Sequence, residues 1–119
     1  MEVTEELVIK EVIDLDIEMP EDSEEWQRPL YDTGEWLGKR LKDEGATDQE
    51  CEDATGALGQ RICMKGLDKA YEVAADMFNR WIKGDRDIPG AALAEKLIKE
   101  TGGINEVVDV LLRNQRARG

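Results

Sequence analysis

Apolar and polar positions alternate strictly from Ile13 to Met19. Ile13, Leu15, Ile17 and Met19 fall on one side, and Asp14, Asp16 and Glu18 on the other. A period of two is the pattern of a half-buried β-strand. Leu7 and Ile9 continue the apolar side backwards, interrupted by Glu11, and the β-branched content of residues 3–19 favours a strand. Val8, Val12, Leu15 and Met19 also recur at helical spacing, but the regular alternation places the strand first. Pro20 closes the element.

Beyond an acidic connector, EDSEEWQRP, the period changes to that of helices. Pro29 disfavours helix at Arg28. A first helix is therefore expected from Asp32 or Thr33 to Glu44, closing at Gly45, with Trp36, Leu37, Arg40 and Leu41 near one side. Gly34 and Gly38 lie four apart on it, a spacing that permits close approach of another backbone. Thr47 with Glu50 three residues later forms a capping box, which starts a second helix carrying Cys51, Ala54, Leu58 and Ile62 inward to a stop near Gly66. Leu67, Ala70, Tyr71, Ala74, Met77, Phe78, Trp81 and Ile82 trace a third, ended by Gly84. Asp87 and Pro89 open a fourth, burying Leu93, Ala94, Leu97 and Ile98. A fifth begins near Asn105 and buries Val107, Val108, Leu111 and Leu112 before a basic tail, RNQRARG.

The expected fold is mostly α (α+β in class). An acidic strand or arm over residues 1–25 precedes a helical domain of four or five helices over residues 26–119, the whole forming one compact domain. An isolated strand is unstable in water. It pairs with another strand of this chain, with its copy across a dimer axis, or with a partner's sheet edge.

Charge is distributed unevenly. The net charge is −12, and residues 1–53 hold 19 acids against 5 bases. Such a field repels nucleic acid and anionic membranes and attracts basic surfaces. No histidine is present, which removes the commonest general base and metal ligand. Cys51 and Cys63 alone do not make a four-ligand zinc site and are expected as free thiols. No apolar run is long enough to span a membrane, and the N-terminus carries acids where a signal peptide carries bases. A cytoplasmic protein is expected, with no cofactor, no metal site and no catalytic residue.

Several local patterns bear on function. VIDLD with downstream acids resembles the interaction motif for small ubiquitin-like modifiers, which implies docking of Val12, Ile13 and Leu15 as an added strand. NEVVDVLL resembles the ExxD half of the all-helical MazG-type nucleotide pyrophosphohydrolases, which implies magnesium on Glu106 and Asp109. Glu50 and Asp53 repeat that spacing, but the family's EExxE helix is missing. Asp85, Asp87 and Gly90 match part of an EF-hand loop, but Pro89 and Lys96 stand where ligands are required. The Gly102-Gly103 turn suits a helix-turn-helix, but Asn105, Glu106 and Asp109 do not make a phosphate-seeking face.

The acids therefore define the expected function: a non-enzymatic interaction or inhibitor protein that binds a basic protein or nucleoprotein complex. Carboxylates would stand in for phosphates and block a nucleic-acid-binding complex. Anti-CRISPR and other phage anti-defence proteins, and nuclease immunity proteins, share this physical class. The expected contact residues are Asp14, Asp16, Glu18, Glu21, Asp22, Glu24 and Glu25, with Trp26 as an apolar anchor, and Asp43, Glu44, Glu50 and Asp53. Same-face strand residues lie roughly 6.6–6.8 Å apart, whereas duplex DNA carries a charge every ~1.7 Å. The strand acids thus need the others beside them on one surface. The alternatives are a homodimeric assembly protein joined through its strands, and a magnesium-dependent hydrolase using Glu50, Asp53, Glu106 and Asp109. Neither direct nucleic-acid binding nor membrane binding is expected.

Overall fold

The computed structural model describes residues 2–19, 21 and 27–85, and among them there are four α-helices. The fourth and fifth helices expected from the sequence lie outside the described residues, as do Asp22, Glu24, Glu25, Trp26, Glu106, Asp109 and the side chain of Cys63.

The N-terminal segment corrects the expected strand. Residues Glu5–Leu15 form a helix, α1. The Thr4 side chain accepts the Leu7 N–H, and Glu5 and Glu6 place negative charge in the first turn, where the helix dipole favours it. Val8 and Val12, one turn apart, are buried together, and Leu15 packs against the same core. Asp16 ends the helix in the left-handed region at φ 48°, its N–H returning to the Ile13 carbonyl at 3.2 Å. Ile13 is consequently 71% exposed, on the side opposite to that expected of a strand facing the core. No strand occurs among the described residues. The apolar helical row was present in the sequence, and burial selected it over the alternation.

Helix α2 spans Arg28–Asp43 and starts one turn earlier than expected. Pro29 sits in its first turn, where a missing N–H costs nothing. Leu30, Trp36, Leu37 and Leu41 are buried, and Gly45, at φ 93°, takes the chain out of the helix. The close backbone approach that the Gly34–Gly38 spacing permits is not used. A Cβ at Gly34 would meet Thr55 Cγ2 at an ordinary 3.7 Å, and one at Gly38 would meet nothing within 4 Å.

Helix α3 spans Asp48–Lys65 and opens with the expected capping box. Glu50 N–H donates to Thr47 Oγ1 at 3.1 Å, and Thr47 N–H donates to Glu50 Oε1 at 3.0 Å. Ala54, Leu58 and Ile62 are buried, and Gly66 is the stop. A 3₁₀ turn at Leu67–Lys69 leads into α4, Ala70–Ile82. There Val73, Ala74, Met77, Phe78 and Trp81 are buried, while Ile82 is exposed.

Side-chain pairs set the helix directions. Arg28 Nη2 donates to the Ile17 carbonyl and Trp36 Nε1 to Glu11, so α1 and α2 run antiparallel. Cys51 Sγ lies 3.6 Å from the Gly38 carbonyl, so α2 and α3 run antiparallel as well. Val3 N–H donates to Asn79 Oδ1 at 3.0 Å and Asn79 Nδ2 donates to the Val3 carbonyl at 2.7 Å, which pins the start of α1 to the last turn of α4. The result is an up-down-up-down bundle. Helices α2 and α4 form its central pair, crossing at a Trp36–Phe78 edge contact, and α1 and α3 flank them.

Candidate interaction surface

The bundle decides where each expected contact residue stands. Asp14, Asp16 and Glu18 are exposed where α1 ends and α2 begins, and Glu21 is exposed in the connector. Asp43 and Glu44 end α2, and Glu50 and Asp53 lie in the first two turns of α3. Sixteen residues of α2 separate these groups, about 24 Å at the usual rise per residue. The structure therefore places the two sets at opposite ends of the bundle. The antiparallel order brings Glu2, Glu5 and Glu6, exposed at the start of α1, to the same end as Asp43 and Glu44. Sequence alone could not find that grouping, because it follows from helix direction.

The acids also divide by structural work. The Glu50 carboxylate is committed to the capping box. Asp53 Oδ1 accepts from Gln49 Nε2 at 2.9 Å. Asp48 pairs with Lys42 at 2.6 Å on open surface, which lowers the carboxyl pKa and raises that of the amine. Asp76 pairs with Arg80 one turn away. Asp43 and Glu44 stand exposed at the α2–α3 turn.

Glu11, which looked like an intrusion in an apolar face, is a structural tie. Its carboxylate accepts from the Nε1 of fully buried Trp36 and from Arg40 Nη1 at 3.3 Å. The Arg40 guanidinium lies 4.8 Å from the centre of the Phe78 ring and 5.9 Å from that of Trp36. One carboxylate thus joins α1 to α2, and one arginine joins α2 to α4. Glu11 at i+3 from Val8 was the signal in the sequence, but only a helix puts the two side by side.

Asp32 is the acid buried in the core among the described residues. Arg28 Nε is 3.4 Å from its Oδ2, while Oδ1 is buried with no hydrogen-bond partner. Burial raises its pKa, against the lowering effect of Arg28. Burial, reinforced by Asp32, also raises the Tyr71 hydroxyl. Cys51 is a free, half-buried thiol, and burial pushes its pKa up, which makes it a poor nucleophile.

Among the described residues, no three His, Cys, Asp or Glu side chains are grouped to hold a metal ion. No helix among them is long and apolar enough to cross a membrane. No known family, curated protein or solved structure matches the chain.

Proposed function

We propose that this protein is a non-enzymatic acidic binding protein that engages a basic surface on another protein or nucleoprotein complex and acts by occupying that surface. One observation carries the reading. The acids with structural work, Glu11, Asp32, Glu50 and Asp53, are held by named partners, whereas Asp14, Asp16, Glu18, Glu21, Asp43 and Glu44 stand in solvent. Exposed like charges repel one another in the folded state, and their useful consequence is long-range attraction of the opposite charge. Their division between two ends of the bundle fits a partner with two basic patches or a groove that receives the whole unit. It fits less well a duplex mimic built on one continuous row of charges.

The test is a matched set of three immobilised baits eluted with a salt gradient. One set carries the native chain. The others carry Asp14→Asn/Asp16→Asn/Glu18→Asn or Asp43→Asn/Glu44→Asn. A partner that the native chain retains at low salt, that elutes as salt rises and that one neutralised bait loses supports the reading. Exposed charges are screened over about 8–10 Å at physiological salt, so the elution shift should be large. If the neutralised baits retain everything the native chain does, the acids have no binding role and the proposal fails.

A further inference from the structure

Helix α1 has a second apolar row. Val8 and Val12 are spent on the core, while Ile9 and Ile13, also one turn apart, are 37% and 71% exposed. Isoleucine is a poor choice for an exposed helix position, because its branched Cβ costs side-chain freedom there. The residues one turn beyond this row are acidic and exposed: Glu5 and Glu6 precede Ile9, and Asp16 follows Ile13. Lys10, also exposed, is the base beside the row.

Charge discriminates between possible occupants. A second copy laid antiparallel on this face would bring Glu5 and Glu6 of one chain against Asp16 of the other. Laid parallel, it would set each acid against itself. Either order confronts like charges in a chain of net charge −12. A helix with an apolar stripe and basic residues along it meets the isoleucines with its stripe and sets its bases against the three acids at the two ends of the row.

We propose that the Ile9–Ile13 face of α1 is the docking site for a basic amphipathic helix of a partner protein. This rests on the reading of the protein as an acidic binder and names where the apolar part of that contact is made.

The probe is a synthetic Leu/Lys helix of about 18 residues, long enough to hold a helical stripe. It is compared with a scrambled peptide of the same composition and with a Leu/Glu version. Binding to the full chain is followed by fluorescence anisotropy at low and at physiological salt. The variant is Ile9→Ser/Ile13→Ser, which changes no charge and, at these exposed positions, leaves the fold intact by circular dichroism. The expected result is binding of the Leu/Lys helix, weaker binding of the scramble, none of the Leu/Glu peptide, and a loss of about tenfold or more in the double variant. If the double variant or the scrambled peptide binds as well as its reference while salt still weakens binding, the α1 face is overturned and the acidic reading stands. If no basic peptide binds the native chain even at low salt, both fail, whether another part of this chain covers the face or nothing does.

Discussion

Replacing Glu11 with alanine tests the fold at the point where two elements are joined by one side chain. The substitution leaves the indole N–H of Trp36 without its acceptor in a position with no solvent exposure. A buried donor left unpaired costs about 1–3 kcal/mol. It also removes the Glu11–Arg40 pair at 3.3 Å, whose side chains are about a third exposed and therefore screened. That part is worth at most ~1 kcal/mol. Arg40 keeps its place over Phe78, so the aromatic contact survives. The expected loss is about 2–3 kcal/mol, with no change in helical content. Urea unfolding followed by circular dichroism reads it as a lower midpoint at unchanged slope, and a thermal scan reads it as a fall of roughly 8–12 °C. Glu11→Gln retains an acceptor for Trp36 and should lose about 1 kcal/mol or less. A Glu11→Ala protein as stable as the native one would refute the tie between α1 and α2. So would a Glu11→Gln protein as unstable as Glu11→Ala, because the acceptor role would then be wrong.

Three further outcomes are expected. Val12→Ser, at a buried position, should cost about 2 kcal/mol or more, whereas Ile13→Ser next to it should change stability by no more than ~0.5 kcal/mol; the reverse order in urea titrations would restore the strand register. Gly38→Ala should stabilise by about 0.5–1 kcal/mol, because the new Cβ meets nothing within 4 Å inside a helix; a lower melting temperature would show an unseen close approach. Asp32 has a carboxyl pKa raised by burial, so the folded chain binds its proton more tightly than the unfolded chain. Its contribution to stability therefore falls as pH rises from the ordinary carboxylate value through the raised one, and stays at the lower level above that. Asp32→Asn should remove this fall and raise stability at neutral pH; a variant with the same pH profile as the native chain would show that Asp32 is not the group responsible.

Much of the described fold was legible in the residues. The capping box at Thr47 and Glu50, the stops at Gly45, Gly66 and Gly84, and the apolar stripe from Ala70 to Trp81 are local features, and local geometry suffices to decide them. The start of α2 was missed by one turn because Pro29 reads as a boundary from either side, and only the run of helix beyond it shows that it sits inside the first turn. The N-terminal segment could not be decided locally. Over residues 7–19, rows of period two and period 3.6 share Leu15 and Met19 and differ in whether Val12 or Ile13 faces inward. A strand needs an edge supplied by another segment, whereas a helix closes its own hydrogen bonds and needs only a surface for one face. Helices α2 and α4 provide that surface, Glu11 locks it to Trp36, and Ile13 is left in solvent. The amount of acid was set by composition, and its division between two ends by the antiparallel order of the helices. The sequence by itself determined that α2, α3 and α4 coil, where they stop and how strongly charged the chain is. Only the tertiary structure decided which face of α1 is inside and which acids are neighbours, because both depend on groups far apart along the chain.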